Sequence, residues 1–209
     1  EEIRDICTTE TTEYSYGGAF GTGILSKHAM TGTEELLLQS TTSRRSVLHA
    51  VVAAPDGDVD VFCTHLTAVF SLIPYPRPEG DWDVEQLGQI TDLRAWMADR
   101  TSTGRAVLMG DMNTGLETPG VDAEVPENYA PLAEGLVNPY RDQDGRCTFC
   151  DDNAISSADS DATGRLIDHV FFDGFEGSYS VKRLFDEPMP IESCGEELPG
   201  ALSDHYGVQ

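Results

Sequence analysis

Lysine is nearly missing from this chain. It occurs only at Lys27 and Lys182, and the remaining basic residues are arginine. Thirteen basic side chains stand against 37 acidic ones, a formal net charge of −24 at pH 7. Tight, sequence-independent binding of nucleic acid depends on Lys and Arg neutralising phosphates, so the composition argues against it, although it does not forbid a local basic patch. Long apolar runs are also lacking. Ala106–Met109 and Val170–Phe172 are typical, far short of the roughly 18 residues that a membrane span needs. Five cysteines (Cys7, Cys63, Cys147, Cys150 and Cys194) are too few for a disulfide scaffold. There is no internal repeat, and no Gly-, Ser- or Pro-rich linker divides the chain. A single domain over residues 1–209 is the expectation. No signal peptide opens it; Glu1-Glu2-Ile3-Arg4 reads as the middle of a longer protein.

Hydrophobic patterning predicts more strands than helices. Ala19–Ser26 and Glu34–Thr41 are strand candidates. Ser46–Ala53 and Val59–His65 form a hairpin candidate, with turn chemistry in Pro55-Asp56-Gly57-Asp58 between them. Val84, Leu87, Ile90, Leu93, Trp96 and Met97 recur every three or four residues, which predicts a helix over Asp83–Arg100. Asp83 would cap it, with Gln86 completing a capping box, and Gly104 would follow its last turn. Gln86 and Gln89 are expected on its polar, solvent-facing side. Arg105–Gly110, Leu166–Phe172, Ser178–Phe185 and His205–Val208 complete the strand candidates. Most links are too short for helical crossovers, which favours largely antiparallel sheets covered by a few helices.

Four polar clusters sit at strand ends: Thr64-His65-Leu66, Gly110-Asp111-Met112-Asn113, Leu166-Ile167-Asp168-His169 and Ser203-Asp204-His205. Any one of them is ordinary turn or cap chemistry. Together they collect imidazoles, carboxylates and an amide, which suits a hard metal and a phosphate.

In this order and in these strand contexts, the clusters resemble the motifs of the endonuclease/exonuclease/phosphatase superfamily. That superfamily includes deoxyribonuclease I, abasic-site endonucleases, inositol polyphosphate phosphatases and neutral sphingomyelinases. The resemblance runs from about Ala19 to Gln209. It implies an α/β (α+β) fold, a four-layer αββα sandwich of two packed mixed, largely antiparallel sheets flanked by helices. It also implies Mg2+-dependent phosphoester hydrolysis, with Mn2+ or Ca2+ as alternatives. Carried over motif by motif, His205 would be the general base and Asp168 would orient it. Asp111 and Asn113 would position water and phosphate, and His65 would donate to a phosphate oxygen. Asp204 would be a metal carboxylate. Members begin with a strand carrying Asn and a second strand ending in Gln-Glu, whose Glu binds the metal. No such pair precedes Ala19, so these strands are expected to be missing. Glu1-Glu2 is either the tail of the second, with Glu1 or Glu2 as the metal ligand, or a solvated acidic helix start.

The stretch Val69–Pro78, which leaves His65, is apolar and proline-punctuated. Either it packs on its own protein, or it borders the cleft and recognises an apolar substrate portion. Thr64–Ala68 followed by this loop looks more like the sphingomyelinase-type and secreted phosphodiesterase branch. A secreted or periplasmic phosphodiesterase acting on a phospholipid or small phosphodiester is therefore expected. A deoxyribonuclease-like enzyme and a non-catalytic binding module stay open as rivals. Cys147-Thr148-Phe149-Cys150 could be a redox pair, part of a zinc site, a disulfide or two thiols. A disulfide stapling the loop is preferred. Cys63 alternates with Val59 and Val61 and is expected to be buried and unpaired.

Overall fold

Pro55-Asp56-Gly57-Asp58 closes a hairpin, as its turn chemistry predicts. In the computed structural model, strand β2 (Arg45–Ala54) returns antiparallel along β3 (Gly57–His65), with Ala54 opposite Gly57. Gly57 takes φ +109°, a conformation costly for any residue with a Cβ. The structure describes residues 21–70, 73–78, 80–156, 164–193 and 195–209.

β1 (Met30–Leu38) pairs antiparallel with β2 at one edge of the sheet. On the other side, β3 pairs in parallel with β4 (Ala106–Asp111), and β4 pairs antiparallel with β5 (Asp168–Asp173). The result is a five-stranded mixed sheet in sequential order, β1 to β5. Its one parallel pair needs a crossover, supplied by helix α1 (Trp82–Arg100). Val47, Phe62, Leu108 and Phe171 point from the sheet to Ile90, Leu93 and Met97 of α1 and to Tyr129 and Leu132 of α2 (Pro126–Ala133) in one buried cluster. A short helix α3 (Pro139–Gln143) follows. A second, smaller sheet pairs β6 (Arg183–Leu184) with β9 (Gly207–Val208), and β7 (Met189–Ser193) forms a hairpin with β8 (Glu196–Gly200). The fold class is therefore the expected α/β sandwich type.

Several local expectations need correction. Asp81, not Asp83, caps α1, its side chain accepting from Trp82 N. The buried face of α1 comprises Trp82, Glu85, Gln86, Gln89, Ile90, Leu93 and Met97. Val84 and Leu87, counted in the apolar stripe, are 61% and 40% exposed. Gln86 and Gln89 are therefore not surface residues. They are tolerated inside because backbone and side-chain partners satisfy them. Cys63 is unpaired but only half-buried, because Asp60, Phe62 and Thr64 take the helix-facing side of β3. Of Ala19–Ser26, residues 21–26 form no strand, and Ala19 and Phe20 lie outside the described residues. Only Arg183–Leu184 and Gly207–Val208 are extended pairs within the last two strand candidates.

Candidate active site

The strand ladder itself aligns three of the candidate residues. His65 ends β3, Asp111 ends β4 and Asp168 begins β5, and the register pairs His65 with Asp111 and Asp111 with Asp168. Three polar side chains thus stand in one row at the rim. Gly110 makes the approach of β3 to β4 feasible just before this row. Its φ is +140°, and a Cβ there would lie 1.9 Å from Thr64 O. In β5, strand alternation sends His169 inward, where Nε2 donates to Thr114 O at 2.9 Å, and leaves Asp168 at the rim.

His205 reaches the row from the turn before β9. Its Nδ1 lies 2.7 Å from Asp168 Oδ2, and its ring centroid lies 5.1 Å from that of Phe149. His65 Nε2 lies 3.2 Å from Asp111 Oδ2. Asn113, left-handed at φ 48°, donates its backbone N–H to Asp111 Oδ1 at 2.9 Å and its side-chain amide to Leu66 O at 2.9 Å. The candidates His65, Asp111, Asn113, Asp168 and His205 therefore converge. Asp204 is exposed on the adjoining turn, where Ser203 Oγ donates to it at 3.2 Å. Glu1 and Glu2 lie outside the described residues.

Burial and charge act on this row in opposite directions. Burial, and then the neighbouring Asp168 carboxylate, push the Asp111 carboxyl well above the ordinary carboxylate range. Burial and the Arg45 charge lower His65 to about 4, so it is neutral at pH 7. For His205, burial acts downward, but the Asp168 hydrogen bond and charge, with Asp111 and Asp204, raise it to about 9. Asp111, Asp168 and His205 each offer a ligand atom, all within 4.8 Å of one another. Two carboxylates crowded together in a partly dehydrated rim favour a bound cation, and their oxygens are the donors a hard divalent ion takes. The residues therefore fit a hard divalent cation.

Sequence reasoning missed the residues that hold this row from behind. Gln86 of α1 donates through Nε2 to both Thr67 O and Asn113 O at 2.8 Å, and its Oε1 accepts from Asn128 at 2.9 Å. It thereby ties together the loops that follow His65 and Asp111. Arg45, at the start of β2, is buried and carries its charge toward Asp111 and Glu85. The apolar loop after His65 folds back: Phe70 and Tyr75 pack edge-on against Trp82, and Tyr75 OH donates to Glu85 at 3.0 Å. Ile73 is 54% exposed, and Leu72 lies outside the described residues.

A family model described as the Endonuclease/Exonuclease/phosphatase family matches residues 6–205. The chain belongs to this family. Its fold is shared with SmcL (TM-score 0.66, 16% identity), covering 88% of this chain and 65% of that one. It is shared with sphingomyelinase C from Streptomyces griseocarneus (TM-score 0.57, 16% identity), covering 88% and 65%. It is shared too with beta toxin from Staphylococcus aureus bearing bound magnesium ions (TM-score 0.58, 13% identity), covering 88% and 64%. The chain thus spans less than two-thirds of the length of each. No curated protein matches it.

Proposed function

We propose that this member of the family hydrolyses a phosphodiester by attack of a water molecule that His205 deprotonates. The observation that carries this reading is the His205 Nδ1 to Asp168 Oδ2 hydrogen bond of 2.7 Å, set beside Asp111. Asp168 accepts the hydrogen bond of the Nδ1 proton and fixes the tautomer. The surrounding carboxylates hold the ring protonated up to about pH 9, and a bound cation would offset their charge. In the neutral ring, Nε2 is the atom that accepts a proton from water. Asn113 and Asp111 orient water and phosphate. His65 Nε2 lies beside Asp111 at rest, and donating a hydrogen bond to a phosphate oxygen is the role this reading gives it. Mg2+, held by the carboxylates of Asp111 and Asp168 with Asp204 at the rim, would supply Lewis-acid charge at the phosphoryl oxygens.

For the substrate, we favour a phospholipid or small phosphodiester over duplex DNA. The support is the net charge of −24, which is unsuited to gripping a polyanion. Packing of Phe70 and Tyr75 against Trp82 removes them from the apolar contacts that a lipid would use, and among the described residues of that loop Ile73 is the large apolar side chain left exposed. The Cys147–Cys150 disulfide supports an oxidising compartment, secreted or periplasmic. No described helix is long and apolar enough to cross a membrane.

The test is hydrolysis of bis(p-nitrophenyl) phosphate by the full-length protein with Mg2+ and with EDTA. Metal-dependent turnover that His205→Ala abolishes supports the reading. Absence of turnover in the wild type leaves a binding module instead. Sphingomyelin against plasmid DNA then separates the substrates, and preferential cleavage of DNA would overturn the lipid assignment.

A further inference from the structure

Neither partner of the Asp168–His205 pair is fixed by its own sheet alone. Asp168 is the first residue of β5, and His205 lies in the turn before a two-residue strand. One residue outside both elements bonds to the backbone at each. Thr148 is fully buried. Its Oγ1 accepts the N–H of Ile167 at 3.2 Å and the N–H of Asp168 at 3.1 Å. Its carbonyl accepts the N–H of Tyr206, next to His205, at 2.8 Å, and its own N–H donates to Arg165 O at 2.9 Å.

The segment around Thr148 reinforces both attachments. Asn153 Nδ2 donates to Ser203 O at 3.0 Å, and Ser156 Oγ donates to Asp204 O at 2.9 Å. Phe149 makes isolated bridges to both Arg165 and His205. The Cys147–Cys150 disulfide closes the turn that carries Thr148. The segment is thus a template on which the two halves of the pair are laid side by side.

We infer that Thr148 is a positioning residue that sets the distance between Asp168 and His205, through its hydroxyl to one and its carbonyl to the other. This rests on the reading of that pair as the water-activating base. The carbonyl bond is available to any residue at this place, whereas the hydroxyl bond is not. Threonine is stiff at χ1, so its backbone holds Oγ1 in one direction. Valine has the same shape without the acceptor, and would take from the N–H groups of Ile167 and Asp168 the hydroxyl they bond to. Asp168 then moves to recover a partner. A displacement of about 1 Å at a reacting pair costs up to about 100-fold in rate.

The experiment compares Thr148→Val with Thr148→Ser in the disulfide-bonded protein. It measures kcat and KM on bis(p-nitrophenyl) phosphate with Mg2+, the melting temperature, and the His205 ring N–H proton resonance without metal or substrate. The hydrogen bond to Asp168 should shift that resonance downfield and protect it from exchange. Thr148→Val should lower kcat about 10- to 100-fold with KM nearly unchanged, and weaken the resonance. Thr148→Ser, which keeps the acceptor, should restore both. Wild-type kcat and resonance in Thr148→Val would overturn the inference. So would an equal loss in Thr148→Ser, which would make the site one of packing. If Thr148→Val fails to fold, Thr148→Ala takes its place. If the wild type shows no turnover, the proposed reaction fails, and the ring resonance still decides the role of Thr148.

Discussion

Asp111 and Asp168 face one another across the β4–β5 ladder as partners on one rung. Their proximity is a property of strand pairing rather than of loop conformation. Two carboxylates fixed in this way, in a partly dehydrated rim, need positive charge nearby. His205 supplies it from one side by bonding to Asp168, and the same excess of negative charge suits the site to a divalent cation.

Replacing His205 by Ala should lower kcat about 100- to 10,000-fold, the range for a lost general base. The melting temperature should change little, because the ring is half-buried and outside the main core. Asp168→Asn should also lower kcat, since an amide no longer selects the tautomer with Nε2 free. Steady-state kinetics paired with thermal melts would show it; activity lost only in step with unfolding would sink the assignment.

Reduction of Cys147–Cys150 by dithiothreitol should impair turnover more than it destabilises the fold. The reductant is oxidised to its cyclic disulfide, and two thiols form on the protein. The closed loop is short, so its entropic contribution is about 2 kcal/mol in the chain-entropy model, yet it holds the turn bearing Thr148. The double variant Cys147→Ser/Cys150→Ser should behave like the reduced protein. Full kcat in that variant would show that the disulfide is dispensable for catalysis.

The motifs were legible because each is a short polar cluster at the end of an apolar strand, and such ends meet at a rim. The apolar strands themselves were read to within a few residues at β2, β3 and β4. The buried face of α1 was not legible from periodicity, which weighs only apolar residues. Glu85, Gln86 and Gln89 lie inside because their partners come from remote loops, such as Thr41, Thr67 and Asn113. Helices α2 and α3 open on Pro126 and Pro139 and are too short for a periodic signal. Thr148 carried no signal either, since its partners Asp168 and Tyr206 are near only in the folded chain.

Gln86→Leu should destabilise the protein by about 2–4 kcal/mol, the cost of leaving buried groups unpaired. Thr67 O, Asn113 O and Asn128 Nδ2 would each lose a partner. Urea unfolding measures the loss. Gln86→Glu, which lacks the donor, should also destabilise; an unchanged midpoint for either variant would contradict the bonding described.

The buried Asp60 gives a pH signature away from the site. Burial acts to raise its carboxyl, but the N–H groups of Thr103 and Ser102 and the His49 ring outweigh it and hold Asp60 below its ordinary value. A depressed carboxylate contributes stability above its unfolded value, near pH 4, and loses it as pH falls through the folded value. The stability difference between wild type and Asp60→Asn should therefore be constant near neutrality and shrink below about pH 4. A gap that widens on acidification would reverse the sign of this assignment.

The row on the rim has a temporal consequence. His65, Asp111 and Asp168 take their places when β3, β4 and β5 pair, but His205 joins them from far downstream. A nascent chain emerging in order from the ribosome would have this sheet outside while His205, the proposed base, is still inside the exit tunnel. Hydrolytic competence would then arrive in one late step, after the scaffold that restrains it. On the proposed mechanism, partial products lacking His205 would be inactive, and a nick between β5 and His205 would leave two inactive pieces until they reassociate.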